Sequence, residues 1–562
     1  MYAYRRFFLC LACIVLTMAS YCTATHLNSV LAADRDEATG GKSKVSKQPN
    51  VMIMLIDDMG LMDTSVPFLV DKAGKPVRYP LNDAYSTPNM ERLAEQGARF
   101  TEFYAMSVCS PSRISLMTGQ NSARHRTTTW INPDTNNKGP NGPPEWNWQG
   151  LDKNSFTMAR WFRDAGYRTI HVGKGHFGPR NTPGEDPTNL GFDINVGGSS
   201  IGQPGSYYGT KNFGNIGPKP THGVPSLEAY HGKEIFLNEA LTLEAKRYVT
   251  ESVQDSKPFF LYFPQYAVHA PFQPDPSFPT DSHPEFKNKN AQAYASLIQS
   301  MDDSLGKMLA HFESLGVAEN TLVIFLGDNG SDAPLGGPHE VASSAPLRGK
   351  KGSHYEGGVR VPFLISWAKP APNDIQNEFK IPAGSIVRQW GAIYDVLPTV
   401  AELIHREIPA TRRIDGRSLR SLLSDSNSNS NSHTGDREFL MHFPHAPHRS
   451  DYFTIFRKGD WKLIYHYFPA APGPAAPGQA SRYQLFSLSE DPFEQRDLAE
   501  SNPAVLKELV AQMTSPLPGG PTGRTCASGT AIEQRKLSNR SSLDNGQMGN
   551  TNRRIVAICI FP

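Results

Sequence analysis

Apolar residues follow two rhythms along this chain. Residues 51–56 and 321–326 are unbroken apolar runs that close on polar groups, Asp57-Asp58 after the first and Gly327-Asp328-Asn329-Gly330 after the second. Runs of this length without polar alternation predict central strands covered on both faces, with chemistry at their carboxyl ends. Residues 259–263 form a third run, ahead of Val268-His269-Ala270-Pro271, and residues 167–172 predict a further strand, ending in Gly173-Lys174-Gly175-His176. Between these runs the spacing becomes helical. Thr87 reads as a cap with Pro88 in the first turn, and Met90, Leu93 and Ala94 make one apolar face up to Gly97. A second helix begins near Pro111, a third spans 157–165, and 294–311 keeps helical spacing; 99–106 predicts a further strand. Strands alternating with helices predict an α/β fold with a mostly parallel or mixed sheet.

The rest of the chain divides by composition. Residues 178–232, rich in Gly, Pro and Ser, predict long loops over a rigid frame. Residues 424–433 form a Ser/Asn-rich linker. Short antiparallel strands at 452–456, 461–467 and 483–486 place a smaller α+β unit over 434–514, and 515–562 is an aperiodic tail with no assigned role. At the other end, Arg5-Arg6 precedes an apolar stretch and small residues near Ala24 and Ala33, the pattern of a signal peptide over 1–33. That stretch is too short to favour a permanent span, and no stable membrane span is expected. The chain is therefore expected to be exported, periplasmic or secreted. The catalytic domain is assigned to 48–423.

Composition narrows the function. Apolar residues make up 38% and charged residues 20% of 562, the balance of a globular protein. A net charge of +2 without a basic stripe argues against a nucleic-acid partner. Of six cysteines, Cys10, Cys13 and Cys22 fall in the leader and Cys526 and Cys559 in the tail. Cys109 stands alone between them, so no disulfide framework can form there. It is either a buried small hydrophobe or a residue with chemistry to perform.

Asp57, Asp58, Asp328 and Asn329 are four oxygen donors at the ends of two buried strands, a set suited to a hard divalent cation or, alternatively, to helix caps and loop acids. Pro111 in a first helical turn puts Cys109 at a helix N-terminus, where free N–H groups favour an anion, with Arg113 one turn further on. Lys174, His176, His269, Lys351 and His354 add cationic or titrating groups at predicted strand or loop ends. Together they suggest a pocket for a tetrahedral oxyanion. Trp130, Trp146 and Trp148 follow in loops, where packing is the favoured role over sugar stacking. His442, His445 and His448 read as surface or substrate-rim residues of the smaller unit.

Cys109-Ser-Pro-Ser-Arg113, four residues, then Thr118-Gly119 resembles the signature of the formylglycine-dependent sulfatases, within the alkaline phosphatase superfamily. Further stretches match in order: Ser86 to Ala94, Gly166 to Thr169, Gly173 to Gly178, Gly327 to Gly330, Leu347 to Gly358, Lys458 to Ile464 and Asp491 to Gln495. The resemblance implies an alkaline phosphatase-like large mixed sheet flanked by helices, with a smaller C-terminal subdomain carrying a short antiparallel sheet. It implies that a formylglycine-generating enzyme oxidises Cys109 to formylglycine, whose hydrate attacks the sulfur of a sulfated carbohydrate or aryl sulfate. It also implies Asp57, Asp58, Asp328, Asn329 and the modified Cys109 as ligands of Ca2+. Arg113 and Lys174 would hold the diol, His176 would take the proton that triggers sulfate release, and His269 and Lys351 would hold sulfate and protonate the leaving oxygen. Lys351 is chosen over Lys350 by motif position. Gly175, where the family commonly has Trp, is expected to widen the pocket wall, and a sulfate-contacting serine falls at Ser199 or Ser200. Two other functions stay open: a phosphonate monoester or phosphodiester hydrolase of the same superfamily, and a non-catalytic sulfated-glycan-binding protein.

Overall fold

The computed structural model describes residues 48–139, 142–217, 220–424, 437–443, 450–467 and 481–515. The expected leader, nearly all of the linker and tail, and His445 and His448 lie outside them. The strands are β1 (Asn50–Ile56), β2 (Ala98–Phe100), β3 (Phe103–Tyr104), β4 (Arg168–Val172), β5 (Ile194–Val196), β6 (Phe259–Gln265), β7 (Thr321–Gly327), β8 (Phe363–Trp367), β9 (Ser385–Val387), β10 (Gly391–Ala392), β11 (Glu438–Phe443), β12 (Phe453–Lys458), β13 (Trp461–His466) and β14 (Tyr483–Ser487). The helices that cover them are α1 (Pro88–Gln96), α2 (Cys109–Thr118), α3 (Met158–Arg163), α4 (Leu237–Gln254), α5 (Lys289–Ser314), α6 (Val396–Leu403) and α7 (Pro503–Met513).

Eight strands form the main sheet in the order β5-β4-β6-β1-β7-β8-β2-β9. It is mixed, because β8 runs antiparallel to both β7 and β2 while β4, β6, β1 and β7 are parallel. Strand β1 shows why the sheet needs two helical layers. Met52, Met54 and Ile56 enter one core with residues of α1, α4 and α5, while Val51, Ile53 and Leu55 enter the other with α2, α3 and α6. Every residue of the strand is buried, so an unbroken apolar run was required.

Three local expectations change. The 99–106 stretch is two short strands, β2 and β3, that join different sheets. The hydroxyl of Thr87 does not cap α1: it bonds Thr64 and Ser65, and Asp302 of α5 accepts the N–H groups of Asn89 and Met90 at 2.9 and 2.8 Å instead. Within 178–232 the loop carries a short strand, β5, that pairs in parallel with β4.

The C-terminal sheet, β11-β12-β13-β14, is antiparallel throughout. One face packs on α7; the other packs Phe439, Phe453, Ile464 and Phe486 against Tyr104, Val108, Tyr355 and Val359 of the large unit. A buried ion network crosses this contact. Lys462 Nζ lies 2.9 Å from Glu356 and 2.8 Å from Glu494, and the Glu356 N–H donates to Glu494 at 2.6 Å. Burial would raise Glu356, but Lys462, Arg360 and Arg457 hold its carboxyl down at about 2. Burial, with Glu356 opposing the pull of Lys462, pushes Glu494 up to about 7.

Glu494 therefore keeps a proton when folded that the unfolded chain releases near its ordinary 4.5. Stability is full below that value and falls as pH rises through about 7, by on the order of 1–3 kcal/mol. Glu494→Gln, which cannot ionise, is expected to lose this slope in denaturant midpoints followed from acid to mildly alkaline pH. An unchanged slope in the variant would place the titration elsewhere.

Candidate active site

Register brings the acidic strand ends together. β1 pairs in parallel with β7, Ile56 opposite Gly327, so Asp57 and Asp328 leave neighbouring strands at the same level. The Asp58 N–H donates to Asp328 Oδ1 at 3.0 Å, and Asn329 Nδ2 donates to Asp58 Oδ1 at 2.9 Å. Asp58 takes φ 64°, the left-handed region that an aspartate enters only at a cost. On the other side of β1, the Asp57 N–H donates to Ala267 and the Val268 N–H to Asp57, which leads the chain from β6 directly to His269. Beyond β4, Gly173 has φ 128°, and a Cβ there would sit 1.8 Å from the carbonyl oxygen of Pro264. Only glycine permits that approach, which turns Lys174 onto Asp57 at 2.6 Å.

The Cys-Ser-Pro-Ser-Arg stretch has a role for nearly every letter. Cys109 opens α2 and is buried. Ser110 Oγ accepts the Ile131 N–H at 3.0 Å, fixing the loop that follows. Ser112 Oγ accepts the Met106 N–H at 2.9 Å, fixing the approach. Arg113, wholly buried, donates from Nε to Asp328 Oδ2 at 2.9 Å and from Nη1 to the Lys174 carbonyl at 3.0 Å. Gly119 ends the helix in the left-handed conformation.

Three buried carboxylates thus face three buried cations. Lys351 reaches Asp58 Oδ1 at 2.6 Å, and His269 Nε2 lies 3.4 Å from Asp58 Oδ2. Burial would raise Asp58, but His269 and Lys351 hold it far below the usual carboxylate range. Burial and Asp57 push Asp328 up to about 6, and burial raises Asp57 despite Lys174. Burial also raises the Cys109 thiol, against the pull of Lys174 and Lys351. Burial brings His269 down to about 4, opposed by Asp58, and burial with Lys174 drives His176 well below its ordinary value. His176 Nε2 lies 2.7 Å from the Ile131 carbonyl and must donate to it, so its buried Nδ1, which has no partner, carries a free lone pair.

A metal fits this donor set. The ligand atoms of Asp57, Cys109 and Asp328 lie within 4.8 Å of one another, and the buried Asp57 Oδ1 and Asn329 Oδ1 have no hydrogen-bond partner. Such oxygens are costly to leave bare and suit a hard cation.

Cys109, His176, His269 and Lys351 open into one cavity of about 360 Å³, so the pocket expected from these residues is present. Its outer wall adds Trp130, Asn132, Asp134, Gln203, His222 and Asp332. Trp130, Asn132 and Asp134 share the loop after α2, while Gln203, His222 and Asp332 come from three other stretches, and no motif links them. Trp146 and Trp148 instead bond Asn136 and the Asn132 carbonyl, and serve to pack the loop.

Other expected residues fall elsewhere. His354 turns to the C-terminal sheet, and Lys350 bonds the Ala333 carbonyl, away from Asp58. Ser200 is buried against Glu185, and neither it nor Ser199 lines the cavity. Gly175 does not widen the wall: a Cβ would meet the Ser199 carbonyl at 2.9 Å, so that backbone already fills the space. His442 is buried on β11 and bonds Thr454 at 2.8 Å, so it is no rim residue.

Residues 49–405 match the family model described as Sulfatase. The chain is 28% identical to N-acetylgalactosamine-6-sulfatase of Canis lupus familiaris over 398 residues, 67% of this chain and 66% of that protein. It is 26% identical to N-acetylgalactosamine-6-O-sulfatase of Bacteroides thetaiotaomicron, covering 83% and 92% of the two chains. Among solved structures, Ps i-CgsB in complex with k-i-k-neocarrahexaose superposes with a TM-score of 0.63 at 25% identity, over 83% of this chain and 92% of the other.

Arg113→Met would leave Asp328 and Asp57 short of a buried counter-charge, with an expected loss of about 3–5 kcal/mol. Arg113→Lys should recover only part of it, because one ammonium cannot reach both Asp328 and the Lys174 carbonyl. Chemical denaturation of the three proteins measures the order; equal stability of wild type and Arg113→Met would contradict it.

Proposed function

The chain belongs to the sulfatase family and is a sulfuric ester hydrolase, and we propose that it removes sulfate from a sulfated carbohydrate with a formylglycine nucleophile made from Cys109. The observation that carries this reading is the position of Cys109: first residue of a buried helix, beside Asp57 and Asp328, at the floor of the cavity. A thiol there, with its pKa raised by burial, is a poor nucleophile in place. An oxygen nucleophile at the same point would meet Lys174 and Arg113, which are already held by Asp57 and Asp328.

Asp57, Asp58, Asp328 and Asn329 would hold Ca2+, which supplies Lewis acidity toward sulfate and nucleophile oxygens. The chain's own groups divide the remaining work. His176, neutral with Nδ1 free, accepts the proton whose loss expels sulfate from the modified residue. Lys351, kept charged by Asp58, presents positive charge to sulfate and to the leaving oxygen, with His269 beside it. A carbohydrate substrate is supported by the cavity wall, where the half-buried Trp130 stands among Asn132, Asp134 and Gln203. An apolar face beside amide and carboxylate groups suits a sugar. The names of the canine and bacterial relatives and the oligosaccharide complex point the same way.

Mass spectrometry of the peptide containing residue 109, from a host with the maturing enzyme, should show one sulfur-for-oxygen exchange and the loss of two hydrogens. Cys109→Ala should fold but release no sulfate from sulfated sugars. An unmodified, inactive thiol would favour a glycan-binding protein, and higher efficiency on aryl phosphodiesters than on any sulfate ester would move the reading to the phosphonate and phosphodiester hydrolases.

Export is part of the same proposal, supported by the basic, apolar and small-residue pattern of residues 1–33. N-terminal sequencing of protein from the native host should find cleavage near Ala24 or Ala33; an intact leader on active protein would contradict it.

A further inference from the structure

Among the described residues, one cluster of metal-ligating side chains lies outside the pocket. His354 follows Lys351 by three residues, Asp451 lies just before β12, and His466 ends β13. A ring nitrogen of each histidine and a carboxylate oxygen of Asp451 all lie within 4.8 Å of one another. His466 Nδ1 is 2.8 Å from Asp451 Oδ2, and His354 Nδ1 is 3.6 Å from Asp451 Oδ1. Both imidazoles are buried, their rings edge-to-face with centroids 4.8 Å apart.

An ion pair accounts for His466 and Asp451 alone. It does not account for a second buried imidazole crowded onto the same carboxylate. Burial, with His466 and His339 nearby, keeps His354 neutral. Its Nε2 is buried without a hydrogen-bond partner, while Nδ1 lies 3.2 Å from Ser450 Oγ. His466 Nε2 is held by Gln484 Oε1 at 2.9 Å, the outer contact that fixes a metal-binding histidine. Two imidazoles and one carboxylate are ligands for zinc and related ions, whereas calcium takes oxygen.

We propose that His354, Asp451 and His466 form a second metal site, for zinc or a similar first-row divalent ion, that ties the loop carrying Lys351 to the C-terminal sheet. Binding replaces the proton between His466 and Asp451, so uptake releases it to solvent. The ion cross-links strands β12 and β13 to residue 354, and through the short intervening stretch it steadies Lys351 over Asp58.

The test is elemental analysis of the full-length protein after equilibration with zinc and calcium. Wild type should carry one more zinc per chain than His354→Ala or His466→Ala, with calcium unchanged. Cobalt loaded in place of zinc should give visible bands of a nitrogen- and oxygen-ligated ion without thiolate charge transfer. Should both alanine variants fail to fold, Gln484→Ala, which removes only the outer contact, should weaken zinc binding roughly 10–100-fold. Equal zinc content in wild type and variants, unchanged affinity in Gln484→Ala, or a thiolate band tracing the ion to Cys109 would each overturn the proposal.

Discussion

Asp57, Asp58 and Asp328 are carboxylates with no solvent exposure, held side by side because two parallel strands end at the same level. Desolvating each costs several kcal/mol, and their mutual repulsion adds to it. No packing of apolar groups could offset this, so the surrounding fold must deliver positive charge to one point. Arg113 arrives from α2, Lys174 from the end of β4 and Lys351 from the loop after β7. Three cations against three carboxylates leave the cluster near neutrality. A divalent cation held by the same oxygens would make the pocket positive, which is the condition for attracting a sulfate ester. Metal and substrate binding would thus be linked by charge before any specific contact is considered.

The same requirement organises the contact with the C-terminal sheet on a different scale. Glu356, Lys462 and Glu494 are far apart in sequence and belong to three of the stretches that carry the family resemblance. In the fold they make one buried ion network. Their local sequence context gives no reason for a lysine in a strand of apolar residues; the reason is two carboxylates from elsewhere. Because Glu356 lies five residues after Lys351, the C-terminal sheet also fixes the base of the loop that carries Lys351. Tyr104 and Arg457 extend the tie through Glu102 and Arg360.

What could be read from sequence follows from whether the physics is local. The buried runs of β1, β6 and β7, the glycine-lysine turn after β4, the helix start at Cys109 and the short antiparallel strands of the C-terminal unit all show in nearby residues, and the structure bears them out. The mixed sheet that the resemblance implied owes its mixed character to β8, whose own antiparallel pairing has no local mark. Thr87 looked like a cap, yet the orphan N–H groups of α1 are met by Asp302, more than two hundred residues away. His354 reads as one more titrating group at a loop end, but its ring turns away from the pocket to Ser450. The cavity wall joins the 130–134 loop to Gln203 and His222, which are far apart in sequence and share no repeating spacing, so Trp130 read as a packing residue and the other two gave no signal.

The conformation at Asp58 joins these levels. An aspartate in the left-handed region costs free energy, and a glycine would relieve it, but a glycine could not accept Lys351 and His269. The turn is stabilised by Asp328, which accepts the Asp58 N–H, and by Asn329, which donates to the Asp58 carboxylate. β7 therefore does more than place its own oxygen donors. It pins the backbone that points those of β1 inward. Removing Asp328 would lose one carboxylate and also release the strain that aims another, so the effects of substituting Asp58 and Asp328 should not add. The oxygen donors form one mechanical unit, built where two central strands end together.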